Sequence, residues 1–428
     1  MRKTGELIEQ LSNGGFDKEL AYIYSCAGDV KPYADRYLSV IDGYKEVYGE
    51  SEELALFSAP GRTEIGGNHT DHQHGCVIAG SVNLDVIAAV AFNGENVVRI
   101  KSKGYDMDEI SLDDLDVHEE QFDKAIALIR GVLRRFSDMG YELKGFNAYT
   151  ESNVLKGSGL SSSAAFEVLV GTIVNNLCVG GEADAIEIAK IGQYAENVYY
   201  NKPSGLMDQM ASSVGSVVAI DFNSTEKPIV KKVEFDLTKY NHSLCIIDSV
   251  ADHAELTNEY AAITSEMKLV AEYFGKQYLR EVDEAEFMKE MKNIREKLNN
   301  DRAVLRAFHY FHDSRAAQLE TAALEKGDFE EFLKINKNSG FSSFMFLQNV
   351  FAASMPQQQA VAVTLALCGE ILGDRGSYRV HGGGFAGTVQ AFVPNDILDE
   401  FKSRIEAVLG EGMCHVLSIR PVGGYRLA

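Results

Sequence analysis

The sequence has little of what would tie a protein to nucleic acid, to a membrane or to an oxidising compartment. Its 41 lysines and arginines are outnumbered by 63 aspartates and glutamates, a net charge of −22, and a field of that sign repels a phosphate backbone and an anionic lipid surface. Long apolar runs are missing: the longest, at 86–92 and 360–368, fall far short of the roughly 20 residues that span a bilayer. The basic start, MRK, is followed by no apolar segment of the kind a secretory signal needs. Six cysteines (Cys26, Cys76, Cys178, Cys245, Cys368 and Cys414) are scattered without a C-x-x-C pair, which argues against a zinc knuckle or a redox motif, and they read as buried thiols. Tandem repeats are absent, and no proline- or glycine-rich linker separates two halves. These absences predict a cytoplasmic protein that takes neither nucleic acid nor membrane as a partner.

What is present is a globular composition, 45% hydrophobic and 24% charged over 428 residues, which excludes disordered, collagenous and coiled-coil chains. At roughly 150 residues per domain, that length predicts two large domains. Helical spacing runs through 17–50 in two pieces. The stretch VIAGSVNLDVIAAVAF (77–92), then GEN, then VVRIKS, reads as a hairpin. Acid-rich 105–123 reads as a solvated loop. Helices are expected at 124–139, 162–177, 183–200 and from 206, with a strand at FNAYTESNV before the second of them. Two strand-like runs follow within 228–248, then long charged helices at 253–299 and 302–326, and this shift in composition places a soft boundary at 225–240. A strand, a glycine loop and a strand (SYRVHGGGFAGTVQAFV), a helix at 396–409 and a strand at 414–420 close the chain.

Four segments could carry chemistry. In the first, Lys156, Gly157, Ser158, Gly159, Leu160, Ser161, Ser162 and Ser163 lie between a predicted strand and a predicted helix. Two glycines allow close backbone approach, and the free N–H groups at a helix start favour a phosphate. The segment is neither G-x-x-x-x-G-K-[ST] nor G-x-G-x-x-G, and it reads equally well as an ordinary serine helix cap. In the second, Pro60 to Gly75 crowd short polar side chains between glycines, and His69, Asp71, His72 and His74 invite a zinc reading that matches no H-E-x-x-H spacing. In the third, Glu196 precedes Asp208 with Lys202, Pro203, Ser204 and Gly205 between them. These carboxylates could divide metal-ligand and general-base roles across one cleft, or lie on the surface. In the fourth, His381 and the glycines at 382–384 have the look of an esterase oxyanion segment. The chain contains no G-x-S-x-G nucleophile elbow, and a glycine loop packed on a phosphate loop explains the segment better.

Together, and in this order, PGR…HTD near 60, GSGLSSSAA near 160, GLMDQ at 205–209 and GGGF near 383 resemble the galactokinase family within the GHMP-type small-molecule kinases, over about residues 55–425. The resemblance implies an α+β, two-domain fold (1–230 and 231–428) with the active site in the interdomain cleft. It further implies a monomeric, cytoplasmic sugar 1-kinase that uses ATP and Mg2+ and converts galactose to galactose 1-phosphate. Position by position, Asp208 matches the catalytic aspartate that takes the anomeric proton, and Arg62 the arginine that steadies it. Gly157, Ser158, Gly159, Leu160, Ser161, Ser162 and Ser163 match the ATP-phosphate loop. Ser163 and Glu196 match the magnesium ligands. Asn68, His69, Thr70, Asp71 and Tyr260 match the sugar contacts.

The sequence departs from the family in three places. The pattern R-V-N-L-I-G-E-H-T-D-Y becomes Arg62-Thr63-Glu64-Ile65-Gly66-Gly67-Asn68-His69-Thr70-Asp71-His72, so asparagine and glutamate have traded places. The proline before the glycine-serine loop is missing at Val154-Leu155, and GGGFGG becomes GGGFAG at Ala386. With Asn68 where a glutamate would grip the C6 hydroxyl, a kinase for galacturonate or N-acetylgalactosamine is the alternative. A metal hydrolase and an inactive sugar sensor stand further off.

Overall fold

The computed structural model describes residues 1–155, 157–202, 204–224, 227–250, 256–385 and 387–428, so Lys156, Pro203 and Ala386 lie outside the described residues. The chain opens with a two-residue strand, β1 (Arg2–Lys3), and three helices, α1 (Thr4–Ser12), α2 (Asp17–Ile23) and α3 (Lys31–Tyr48). Strands β2 (Glu53–Gly66) and β3 (Cys76–Phe92) then form the spine of the first sheet. Next come β4 (Val97–Ser102), β5 (Met107–Ser111), helix α4 (Ala125–Asp138) and β6 (Phe146–Ser152). Helices α5 (Ser162–Cys178), α6 (Ala185–Tyr194) and α7 (Met207–Val214) lead to β7 (Val217–Asp221) and β8 (Ile229–Val233).

Sheet membership changes after β8. Strand β9 (His242–Asp248) belongs to a second sheet, and helices α8 (Thr257–Tyr273), α9 (Glu284–Leu298), α10 (Asp301–Lys326), α11 (Phe329–Ser342) and α12 (Ala360–Leu372) follow it. Strands β10 (Ser377–His381) and β11 (Thr388–Pro394), helix α13 (Leu398–Leu409), β12 (Cys414–Leu417) and β13 (Tyr425–Arg426) complete the chain. The first sheet runs β1-β2-β3-β6-β4-β5, with β7 and β8 on β3 and β13 on β2, and the second runs β10-β11-β9-β12. The fold is α+β with two domains, and its last strand returns to the first sheet.

Strand β3 reads as a near-continuous apolar run because both of its faces are covered. Ala88 and Val90 face a core shared with α4 and α5, while Ile87, Ala89 and Ala91 pack on α1–α3, the pattern of a strand buried on two sides. Strand β2 is bulged between Pro60 and Arg62 and again between Glu64 and Gly66. Bulges re-aim side chains and recur beside active sites, and these two set the direction of Arg62 and of the loop after Gly66.

The structure corrects two expectations. Segment 97–102 does not form a hairpin with β3: β6 pairs antiparallel with β3, and β4 lies on the far side of β6, parallel to it. Asn93, in the connecting turn, donates to Val97 O at 2.9 Å and to Asn147 Oδ1 at 3.0 Å, which ties the turn to β6. The acid-rich stretch 105–123 is also not all loop, since Met107–Ser111 forms β5 against β4. Of the cysteines, Cys76, Cys245, Cys368 and Cys414 are buried, whereas Cys26 and Cys178 are only half-buried. Among the described residues no helix is long and apolar enough to cross a membrane.

Candidate active site

The glycine-serine loop sits where strand β6 hands over to α5. Gly157 and Gly159 hold φ of +74° and +69°, the left-handed region that glycine enters without strain. Gly159 is further constrained because an added Cβ would stand 3.0 Å from His381 Nδ1. The loop is pinned on both flanks. The Arg62 backbone N–H donates to Leu160 O at 2.9 Å, and Thr388 Oγ1 donates to Ser158 O at 2.9 Å. Ser161 occupies the N-cap of α5 in a left-handed conformation and, among the described residues, makes no side-chain cap bond, so the loop is not a simple serine cap. His381 bridges Thr63 Oγ1 at 3.0 Å and Thr388 Oγ1 at 2.9 Å. Burial, with Arg62 and Arg379 nearby, pushes its pKa down to about 3, so it is neutral at physiological pH. The glycine loop that opens at His381 therefore packs on the phosphate-type loop, as its sequence suggested.

Arg62 and Asp208 meet at the mouth of this loop in a two-pronged pair, Nε to Oδ1 at 2.7 Å and Nη2 to Oδ2 at 2.6 Å, while Arg62 Nη1 donates to Gly159 O. Asp208 sits in the first turn of α7, where the helix dipole favours a negative charge. Burial alone would raise its pKa, but the Arg62 guanidinium, with Ser161 and Lys202 beside it, holds it below the usual carboxylate range. The Asp208 side chain keeps 30% exposure against 8% for Arg62. The aspartate is therefore the member of the pair that a ligand can reach.

Glu196 lies in a widened, π-type turn, Ala195–Tyr199, at the end of α6, a feature common at functional sites. Its carboxylate is buried and fully engaged: Ser163 Oγ at 3.2 Å and Lys202 Nζ at 2.7 Å reach Oε1, and Ser204 Oγ and Gln209 Nε2 reach Oε2 at 2.7 Å each. The Lys202 ammonium, whose pKa Glu196 raises against the opposing effect of burial, already stands at Oε1 as a cation. Hydroxyl and carboxylate oxygens around such a cation fit the hard-ligand chemistry of Mg2+. Gln209 also bonds Glu167 Oε2 at 3.0 Å, and burial together with the Glu196 charge pushes Glu167 well above the carboxylate range.

The expected sugar contacts divide. His69, with φ +58°, puts Nε2 3.0 Å from Gly383 O, and burial takes its pKa down to about 4. Asp71 accepts the His72 backbone N–H at 2.9 Å and faces Gly205, where an added Cβ would lie 2.6 Å from Oδ2. The Tyr260 hydroxyl donates to Gly384 O at 3.0 Å, and its ring stands edge-on to Phe385. Asn68 and Thr70, expected at the sugar, are instead fully buried. Asn68 Nδ2 donates to Glu64 Oε1 at 2.8 Å and Gly382 O at 2.7 Å, while its Oδ1 accepts from Asn349 at 2.8 Å. Thr70 Oγ1 donates to Gly67 O and Cys76 O, which shapes the turn. The exchanged residues Glu64 and Asn68 therefore touch each other, from a strand and the loop after it, with no helix involved.

The four-residue histidine cluster does not converge. The His69 and His72 rings are 6.3 Å apart, and His74 stacks on Tyr278 at 3.7 Å. Among the described residues no three His, Cys, Asp or Glu side chains are placed to hold a metal, which removes the support for a zinc hydrolase. The sequence reading missed Lys202, Ser204, Gln209 and Asn349. Gln209 stood inside the GLMDQ motif, and Lys202 and Ser204 in the loop between the two candidate carboxylates, with no role read for them, whereas nothing local marks Asn349.

A glycine-serine loop at a helix start lies beside an arginine–aspartate pair and an oxygen-lined carboxylate on an α+β fold of the GHMP-kinase type. The profile "GHMP kinases N terminal domain" matches residues 127–216, and "Galactokinase galactose-binding signature" matches 42–92. A galactokinase of Streptomyces coelicolor is 29% identical, with 86% of this chain and 92% of that protein covered. One of Clostridium tetani is 27% identical, with 84% and 89% covered. The structure of Lactococcus lactis galactokinase complexed with galactose shares the fold at a TM-score of 0.76, with 22% identity and 91% and 99% of the two chains covered. A mevalonate kinase structure matches at a TM-score of 0.59 and 13% identity, covering 86% and 99%. The chain is similar to galactokinases over most of its length and carries the galactose-binding signature of that family.

Proposed function

We propose that the protein transfers the terminal phosphoryl group of ATP to the anomeric hydroxyl of galactose. The observation that carries this reading is the Arg62–Asp208 pair, aimed from β2 and α7 at the rim of the loop that opens α5. Phosphoryl transfer depends mostly on positioning and electrostatics. The loop's backbone N–H groups and the α5 N-terminus receive the phosphates. Asp208, kept ionised by Arg62, orients the anomeric O–H and takes its proton as the oxygen attacks phosphorus. Arg62 balances the charge that develops beside it. Ser163 and Glu196 would hold Mg2+, which supplies charge neutralisation on the phosphate oxygens.

Among sugars, the corner near Glu64 supports galactose over galacturonate. Asn68 has both amide hydrogens engaged within the protein, so it has none left to donate to a C6 carboxylate. The Glu64 carboxylate in that corner is paired with Arg379 Nη2 at 3.3 Å, and burial pushes its pKa up to about 7 despite that pair. The test is ATP consumption over galactose, galacturonate, N-acetylgalactosamine and glucose. A larger kcat/KM for galactose is expected, and turnover with galacturonate alone would overturn the sugar assignment. Absence of turnover with every free sugar would favour a sensor.

A further inference from the structure

Glu196 Oε1 is shared by two donors of very different kinds. Ser163 Oγ approaches it at 3.2 Å from the first turn of α5, and Lys202 Nζ at 2.7 Å from the loop after the widened turn. The Glu196 side chain is only 3% exposed, whereas Lys202 is 56% exposed. A buried carboxylate requires a partner charge or a full set of hydrogen bonds. Its other oxygen is already satisfied by Ser204 and Gln209. Lys202 therefore caps, from the solvent side, the one oxygen that faces Ser163. An ammonium and a divalent cation cannot share that oxygen at contact distance, because like charges a few ångströms apart in a partly buried site repel strongly.

We propose that Lys202 is the resident counter-cation of the Ser163–Glu196 site: it neutralises Glu196 while the metal is absent, and transfers to the phosphate groups of the nucleotide when the metal takes its place. The inference rests on the reading of Ser163 and Glu196 as the metal pair. Charge supports the exchange. With Lys202 in place, Arg62 and Lys202 balance Asp208 and Glu196, and a dication arriving at Glu196 makes the ammonium surplus there. The displaced lysine stays tethered six residues before Asp208, close enough to interact with that aspartate. A flexible ammonium is a suitable point-charge partner for a phosphate. The conformation that closes the empty site thus becomes a contact to the bound nucleotide.

The test uses Lys202→Met and Lys202→Gln, two neutral replacements of similar reach, so that poor folding of one leaves the other. Mn2+ binding is measured by electron paramagnetic resonance without nucleotide, and kcat and KM for metal–ATP are measured in parallel. Removing the competing cation should tighten Mn2+ binding by about 10- to 100-fold, and losing the phosphate contact should raise the KM for metal–ATP by a similar factor, the range expected of one charge-assisted bond. Unchanged or weaker Mn2+ binding in both variants overturns the proposal, as does an unchanged KM. Glu196→Gln and Ser163→Ala distinguish the underlying reading: if neither lowers Mn2+ binding relative to wild type, the metal site itself is wrongly placed.

Discussion

Asp208 retains its charge because the fold places a two-pronged guanidinium against it, and that geometry makes its role separable from its shape. Asp208→Asn keeps the size of the side chain and removes the proton acceptor. We expect near-normal binding of ATP and sugar with kcat lowered about 10²- to 10⁴-fold, the usual contribution of a general base. Near-wild-type turnover in single-turnover kinetics would remove Asp208 from the reaction. Ser163 and Glu196 form a second separable pair. Ser163→Ala and Glu196→Ala should raise the magnesium concentration needed for half-maximal rate in parallel, because each loses one oxygen ligand of a site that keeps several waters. The N-cap of α5 is Ser161 and not Ser163, so Ser163→Ala should cost little stability. A lowered melting temperature with an unchanged magnesium titration would assign Ser163 to structure alone. At this scale the sequence was most informative where a motif keeps its partners close in space: Arg62, Ser163, Glu196 and Asp208 are all brought together. It misled at Asn68, whose burial comes from partners such as Asp313 and Asn349, more than two hundred residues away and unmarked by any local pattern.

Strand β3 shows why elements are harder to read than residues. Its apolar run correctly signalled a buried strand, but the short polar turn after it signals a reversal of direction and not a pairing partner, and β6 takes the place that a hairpin would have given to β4. One polar residue in that run, Asp85, joins three parts of the molecule. Arg36 of α3 reaches Oδ1 at 2.7 Å, while Tyr24, Ser58 and Arg420 reach Oδ2 at 2.7, 2.5 and 3.0 Å. The N-terminal helices, the first sheet and the C-terminal segment thus converge on a carboxylate that is 0% exposed. Burial opposes the charge, and the two arginines hold its pKa below the usual range. Asp85→Ala leaves two guanidinium groups without their shared partner and should destabilise the protein by about 3–5 kcal/mol, read by urea denaturation. A loss under about 1 kcal/mol would mean that water replaces the carboxylate, as at an exposed ion pair.

At the scale of the whole molecule, a polar layer joins the domains beside an apolar cluster that both share, from Ile65 and Val217 to Ile246 and Phe392. Asn336 Nδ2 donates to Ile65 O at 2.9 Å, Gln390 Nε2 to Glu64 O at 2.8 Å, and Arg379 Nη2 reaches Glu64 Oε1 at 3.3 Å. Glu320 of α10, 0% exposed, bonds Asn336 through Oε1, and its Oε2 is without a partner among the described residues. Burial pushes its pKa up to about 8, against the pull of Arg379 and with Asp313 and Glu64 adding to the rise. The sign of the linkage follows from this direction. Between the ordinary carboxylate pKa and about 8 the folded state holds a proton that the unfolded chain releases, so stability falls as pH rises through that window and levels off above it. Each pKa unit corresponds to about 1.4 kcal/mol, so the whole fall attributable to Glu320 is on the order of a few kcal/mol. Glu320→Gln keeps the contact with Asn336 and cannot ionise. His69, His309 and His381, whose pKa values burial lowers, lose stability on acidification in both proteins, so the measurement is the difference between the variant and wild type. Denaturation midpoints at pH 5, 6, 7 and 8 should show the variant gaining on wild type as pH rises. Parallel curves would mean that Glu320 is ionised in the folded protein and that the layer holds a charge these contacts do not account for.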